Sequence, residues 1–184
     1  THILHDETLG CDLECYAAGN CQNFADMFGI SGKVRNMNRF SARLPGHCAF
    51  WDVMVRCGFL REEPVMVNGT PVSPLEFCTT LLTSQQQFWY RKDERDVGYI
   101  RVEARGRKNG TPVSVTHTII DYADLDAGLT SMQRLVGFTV AIAASLIANG
   151  GFTERGLVMP MRVPLSLMQP ELAKRDIHIM TNID

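Results

Sequence analysis

Two arginines and a histidine are the first residues whose types and spacing could do chemistry. Arg39 and Arg43 are four residues apart in a stretch with strand character, which would place both side chains on one face. His47 follows the turn signal Pro45-Gly46. Guanidinium groups bind carboxylates bidentately, and a histidine at a turn can hydrogen-bond the same ligand or relay a proton. The cluster suits a carboxylate ligand; the alternative is surface ion pairs beside a helix N-terminus.

A second group opens an otherwise apolar helix. Thr130, Ser131 and Arg134 stand at its predicted start, where unpaired backbone N–H groups and the helix dipole favour an anion. A substrate anion could dock there against Arg134. The alternative is an ordinary N-cap at Thr130 or Ser131, with Arg134 paired to a carboxylate of the protein itself.

The remaining candidates are weaker. His117 lies on the apolar face of a predicted strand, a place typical of a hydrogen-bonded structural histidine. Cys48 next to His47 could be a thiol nucleophile, but neighbours at a helix start point in different directions. The six cysteines show no CxxC pair, so we expect free, reduced thiols; a zinc site from Cys11, Cys15 and Cys21 would lack the usual spacing.

Composition narrows the class of protein. The chain has 184 residues, 45% hydrophobic and 21% charged, as in one globular domain. With 18 basic and 20 acidic side chains it has no basic field for phosphates, so we expect no nucleic-acid partner. The apolar run Leu135 to Ala148 is short of the roughly 20 residues that span a bilayer, so we expect a buried helix, no membrane partner and a cytoplasmic protein.

Cofactor-binding motifs are also missing. No GxGxxG follows a strand and no GxxxxGK[ST] occurs, so the sequence predicts neither a nucleotide cradle nor a metal site in this chain. Thr1 in place of methionine suggests a domain excised from a longer protein. An enzyme domain of this kind would take its cofactor from elsewhere.

Periodicity predicts an α+β domain. The most secure element is an antiparallel pair, Val97 to Arg105 and Val113 to Tyr122, joined at Asn109-Gly110. A long helix from Ser131 to Asn149 is apolar on most of its surface and should be covered on nearly all sides. The other predicted elements are strands at 13–18, 33–44 and 177–179, a hairpin around Asn68-Gly69, and helices at 21–28, 47–57, 74–87 and 167–175.

Several of these stretches resemble one family in the same order. Arg43-Leu44-Pro45-Gly46-His47 resembles the RYPGH segment of the saccharopine dehydrogenase and lysine 6-dehydrogenase family. Three further stretches are similar to its later segments: the passage 57–76 to the glycine-leucine pair and VxVDGxxVSPxE, 130–150 to the TxMxRTTGxPxAIxAxxxxxG helix, and 155–160 to the GVLPPE turn.

The resemblance implies the C-terminal domain of a two-domain oxidoreductase acting on the C–N bond of an amino acid or secondary amine. Residues 1–184 would be one substrate-binding and homodimerisation domain, with an antiparallel or mixed sheet and helices on one face, of the glyceraldehyde-3-phosphate dehydrogenase C-terminal type. An N-terminal Rossmann domain, absent here, would bind NAD or NADP. The alternative is a non-catalytic ligand-binding or dimerisation module with the same fold.

The resemblance also implies roles for the residues singled out above. His47 would be the catalytic residue, and Arg39, Arg43, Thr130 and Arg134 would bind substrate, the arginines through its carboxylates. Leu44 stands where the family has tyrosine, Leu135-Val136 where it has paired threonines, and Thr139 where it has proline. Aliphatic groups thus replace hydroxyls near the ligand, which points to a substrate different from saccharopine or lysine.

Overall fold

The computed structural model describes residues 1–19 and 21–184 of the chain. It divides into two compact units, Thr1–Trp89 and Tyr90–Asp184, which are described in turn. All the strand pairings are antiparallel, and five α-helices accompany them among the described residues. The predicted mixture of helices with antiparallel sheet is therefore confirmed at this coarse level.

The first unit contains a three-stranded sheet. Strands β1 (His2–Asp6), β2 (Cys11–Ala17) and β3 (Phe40–Arg43) lie in the order β1-β2-β3. Leu13 and Cys15 point to the side of β2 that is buried. The predicted strand 13–18 corresponds to β2 but starts two residues late and ends one residue late. Strand β1 was not predicted, because its five residues alternate too weakly to stand out.

The strand predicted from Lys33 to Leu44 is wrong in its extent. Only its last third forms β3, because the pairing ends where Phe40 lies opposite Ala17. Beyond Ala17 the partner strand turns away at Gly19, whose φ is 76°. The Arg39 carbonyl still accepts the Ala18 N–H at 3.0 Å, but residues 34–39 lie outside the strand.

The helices of the first unit begin at or within one residue of their predicted starts. Helix α1 (Gln22–Met27) is short, and α2 (His47–Arg56) begins at the predicted histidine. Gly58, with φ 82°, ends α2 in the left-handed conformation that favours glycine. The apolar side chains in 50–55 predict that α2 packs on a core, but none of the α2 side chains is fully buried.

A small hairpin and a capped helix complete the first unit. Strands β4 (Val65–Val67) and β5 (Thr70–Val72) pair around Asn68-Gly69, both at positive φ as a type I′ turn requires. Helix α3 (Pro74–Thr83) starts at Ser73, whose hydroxyl accepts the N–H of Glu76. It ends four residues before the predicted Gln87, and a 3-10 turn covers residues 86–88.

The second unit has the long hairpin that the sequence predicted. Strands β6 (Val97–Lys108) and β7 (Thr111–Tyr122) pair along their whole length around Asn109-Gly110. Strand β8 (Met180–Ile183) adds to the other edge of β7. The predicted strand 177–179 is wrong by about three residues, because Ile177 is only 1% exposed and fills the core instead.

Helix α4 (Ser131–Ala148) packs on β6 and β7, and helix α5 (Leu165–Ala173) packs on α4. The core consists of Ile142, Leu172 and Ile177, and six partly buried side chains surround it: Ile119, Leu135, Phe138, Leu146, Met168 and Ile179. The 3.6-residue period of α4 therefore buries one stripe, in which Ile142 is only 1% exposed.

The expectation that α4 is covered on nearly all sides is wrong. Met132, Val136, Val140 and Ile147 are each more than half exposed. Neighbouring elements cover only one stripe of α4, so the helix has more apolar surface than the core of this unit buries. Residues Ser131–Ala148 are long and apolar enough to cross a bilayer by length and composition, a property that core helices share.

Candidate functional site

The turn before His47 is built by a strand far away in the sequence. Gly46 takes a φ of 96° just before α2 begins. The Glu14 carboxylate on β2 accepts the backbone N–H of Gly46 at 3.0 Å and that of Cys48 at 2.9 Å. These bonds lower the pKa of Glu14, and its charge also complements the helix dipole. The N-terminus of α2 is thus occupied by a carboxylate of the protein itself.

The two predicted arginines lie in different local settings. Arg43 is the last residue of β3, opposite Glu14 in the register, so it shares a sheet face with Glu14 and Tyr16. Arg39 lies outside the strand, and its side chain lines an open cavity of about 340 Å³ beside Gly19. Both are exposed, and in residues 1–19 and 21–184 neither forms an ion pair with a carboxylate.

Two aromatic side chains lie near the His47 ring. Tyr16 stacks on it with 6.2 Å between ring centroids and 6° between the planes. Trp51, one turn along α2, lies 6.2 Å away at 54°. Because Tyr16 neighbours Glu14 and Arg43 on the same face, the predicted histidine and one predicted arginine are brought to one side of the sheet.

Cys48 does not fit the alternative of a thiol nucleophile. Burial raises the pKa of its thiol, and the hydrogen bond and charge of Glu14 raise it further. A raised pKa keeps the thiol protonated, and the protonated thiol is a poor nucleophile. All six cysteines are free.

The start of α4 is also capped from within the protein. The Thr130 hydroxyl accepts the N–H of Gln133, and the Gln133 side chain accepts the N–H of Thr130, a reciprocal capping box. Asp96, just before β6, accepts the Ser131 N–H at 2.8 Å and its hydroxyl at 2.7 Å. Thr130 was predicted to bind substrate; here it caps the helix, and Asp96 lies where an external anion was expected.

We expect Asp96 to make the stability of the second unit depend on pH. Burial opposes its ionisation, but the hydrogen bonds from Ser131 outweigh this and lower its pKa. A lowered pKa in the folded state means that its stabilisation is present above about pH 3.9, the unfolded value, and is lost as pH falls through the folded value. We expect the free-energy difference between wild type and Asp96→Asn to shrink below about pH 4 in urea unfolding.

Asp93→Asn is the matched control for that prediction, because the Asp93 side chain is 81% exposed and lies 3.7 Å from a similarly exposed Arg91. Its free-energy difference from wild type should stay nearly constant between pH 7 and pH 3. A pH-independent difference for Asp96→Asn as well would contradict the proposed effect of the Ser131 hydrogen bonds.

Arg134 is buried and fully engaged. It is 7% exposed, and its guanidinium binds the Asp121 carboxylate through Nε at 2.9 Å and Nη2 at 3.0 Å. Nη2 also donates to the Arg175 carbonyl, and Nη1 lies 3.5 Å from Asp124. The hydrogen bonds to Asp121 raise the pKa of Arg134. These contacts fit the second of the two readings of Arg134 given above, in which it pairs with a carboxylate of the protein itself.

A cavity of about 720 Å³ opens beside this pair in the second unit. Its charged lining is balanced in sign: Arg95, Arg134, Lys174 and Arg175 against Asp121, Asp124, Asp126 and Asp176, with His178 among them. No cluster of three histidine, cysteine or acidic side chains suited to a metal occurs among the described residues. His117 lies elsewhere on the sheet, 2.9 Å from the Thr181 hydroxyl, which fits a structural role.

Comparison with known proteins matches sequence from both units. A family model described as the saccharopine dehydrogenase C-terminal domain matches residues 2–176. The chain belongs to this family. A protein of Schizosaccharomyces pombe (strain 972 / ATCC 24843) named saccharopine dehydrogenase (NADP(+), L-glutamate-forming) is 29% identical over 128 residues, 68% of this chain. The match spans 27% of that relative's length. The resemblance predicted from the motifs is therefore confirmed, and the chain is a dehydrogenase-family domain.

Sequence reasoning missed the acidic partners in this saccharopine dehydrogenase-family domain. Glu14 and Asp96 each cap a helix from at least 30 residues away in sequence, so no local motif marks them. Asp121 is different, because it lies on β7 in alternation with Val115, His117 and Ile119 and is buried, and a buried carboxylate requires a cation. That signal could have paired Asp121 with Arg134 from the sequence.

Proposed function

We propose that this chain is the substrate-binding part of an NAD(P)-dependent oxidoreductase acting on the C–N bond of an amino acid or secondary amine. Family membership supports the reaction class, and the S. pombe relative is named for NADP(+) and for forming L-glutamate. The observation that carries the proposal in this chain is the pair Arg39 and Arg43. Both guanidinium groups are exposed and precede the turn that leads into His47, and neither has a carboxylate partner within residues 1–19 and 21–184.

Each residue has a distinct part in this proposal. Arg43 and Arg39 hold the carboxylates of the substrate by charge-assisted hydrogen bonds, which fixes the amine-bearing carbon in place. His47 is the group that exchanges a proton with the amine nitrogen. The chain contains no glycine-rich phosphate loop, so the site for NAD or NADP is assigned to a domain outside it.

That Thr130 and Arg134 bind the substrate directly stays a prediction. Thr130 caps α4, and the guanidinium of Arg134 is held by Asp121 and the Arg175 carbonyl. A contact of Arg134 with substrate would have to displace part of this buried pair, so we propose that it mainly fixes the wall of the charged cavity. Homodimerisation, a cytoplasmic location and a sheet of the glyceraldehyde-3-phosphate dehydrogenase C-terminal type are further proposals from the family.

The proposal is tested by hydride transfer in the full-length protein. NAD and NADP reduction is measured with lysine, saccharopine and other amino acids that carry a second amine. In Arg43→Ala we expect kcat/KM to fall about 10- to 100-fold, because one charge-assisted hydrogen bond contributes roughly 1.5 to 3 kcal/mol. Arg35→Ala removes the same charge from an exposed position outside the sheet and should change kcat/KM less than twofold.

Three results would separate the alternatives. A large loss in Arg43→Ala but not in Arg35→Ala supports a carboxylate clamp. Equal small losses in both variants would exclude Arg43 as a substrate ligand. Absence of hydride transfer with every amine, in a folded full-length protein, would favour the non-catalytic binding or dimerisation module.

A further inference from the structure

Glu14 and Tyr16 both contact the segment that contains His47. They are two residues apart on β2, so their side chains lie on the same face of the sheet. Glu14 binds the N–H groups on either side of His47, those of Gly46 and Cys48. Tyr16 stacks on the imidazole ring itself, with the two planes within 6° of parallel.

We propose that Glu14 and Tyr16 are positioning residues for His47, Glu14 through the backbone of the turn and Tyr16 through the ring. The proposal rests on the proposed function, in which His47 exchanges the substrate proton. Glu14 holds the peptide groups that set where the His47 Cα lies. Tyr16, with Trp51 at 6.2 Å on α2, restricts the rotation of the ring about that point.

Both restrictions are needed for proton transfer. A general acid or base must lie within hydrogen-bonding reach of the proton it moves, and functional groups need placing within about 0.5 Å and 10 to 20°. His47 is only partly buried, so packing alone does not fix its rotamer. The lowered pKa of Glu14 keeps the carboxylate charged, and a charged carboxylate accepts both N–H groups better than a neutral one.

The test uses the full-length protein with histidines labelled at Cε1. Glu14→Gln replaces one acceptor oxygen with an NH₂ donor that faces a backbone N–H, and Tyr16→Leu removes the stacked ring without touching the cap. The matched control is Glu7→Gln, which removes a carboxylate from an exposed turn of the same sheet. The His47 resonance is assigned by its loss in His47→Asn.

We expect both Glu14→Gln and Tyr16→Leu to move the His47 resonance toward its unstacked position, with Glu7→Gln leaving it in place. We expect kcat to fall about 10-fold in each positioning variant with KM little changed, since a small misplacement of a catalytic group can cost up to about 100-fold. In the His47→Asn background Glu14→Gln should cause no further loss of kcat.

Two results would overturn the proposal. One is an unmoved His47 resonance in both variants. The other is a loss of kcat by the same factor with and without His47, which would make Glu14 a structural cap alone. If the full-length protein transfers no hydride, the proposed function fails, and the resonance of His47 still decides whether Glu14 and Tyr16 hold the ring.

Discussion

Arg134→Met should destabilise the second unit by about 3 to 5 kcal/mol, the usual cost of removing one partner of a buried ion pair. The Arg134 and Asp121 side chains are only 9% and 4% exposed, so the variant leaves the Asp121 carboxylate buried without its cation. Methionine keeps much of the side-chain volume, so the loss reports on charge more than on packing. The double variant with Asp121→Leu should recover much of the stability, because it removes the orphaned charge as well.

The measurement is urea dependence of hydrogen exchange in the α4 amides. Exchange is the suitable probe because it reports on α4 directly, whereas both tryptophans, Trp51 and Trp89, lie in the first unit. Arg162→Met is the control, since its 2.7 Å pair with Glu154 is exposed by 65% and 41% and should contribute at most about 1 kcal/mol. Equal losses in the free energy of unfolding for Arg134→Met and Arg162→Met would contradict the conclusion that Arg134 forms a buried ion pair.

Ile142→Ala should cost about 2 to 5 kcal/mol, the range for truncating a fully buried aliphatic side chain. Ile142 is 1% exposed and contacts Leu172 and Ile177, which belong to α5 and to the segment after it. Truncation removes buried methyl groups and leaves a cavity where α4, α5 and the sheet meet. The same hydrogen-exchange measurement reports the change in the free energy of unfolding of this unit.

Val140→Ala is the matched control for the core variant, because it shortens an aliphatic side chain on the same helix at a position that is 66% exposed. Its cost should be below about 0.5 kcal/mol, helped by the higher helix propensity of alanine. A cost for Val140→Ala as large as that for Ile142→Ala would mean that the exposed stripe of α4 is buried in solution, by a partner or another part of the protein.

Local patterns were enough for the elements that depend on nearby residues. The β6–β7 hairpin follows from alternation around Asn109-Gly110, and Ser73 caps α3 as its Pro74 predicts. The start of α2 at His47 also follows from the turn before it. Each of these elements depends on backbone dihedrals and hydrogen bonds within a few residues, and the residue types at those positions are enough to predict them.

Local sequence patterns gave wrong predictions where the structure of a segment depends on residues that are distant in the sequence. The stretch 33–44 has strand character along its length, but β3 begins only at Phe40, where β2 provides its last partner, Ala17. Periodicity identified α4 as apolar without showing how little of it the core of the second unit would cover, since coverage depends on how many neighbours pack against it. Ile177 fills the core for the same reason, although its own neighbourhood resembles a strand.

The candidate site divides in the same way. The sequence by itself determined which side chains are available, Arg39, Arg43 and His47 around one turn, and the motif order that identifies the saccharopine dehydrogenase family. Only the tertiary structure decided which charges are already satisfied. Asp121 neutralises Arg134 and Asp96 caps α4, whereas Arg43 keeps its charge exposed beside Glu14 and Tyr16. The physical reason is that a buried charge must find its partner across the fold, and the distance along the chain places no limit on where that partner comes from.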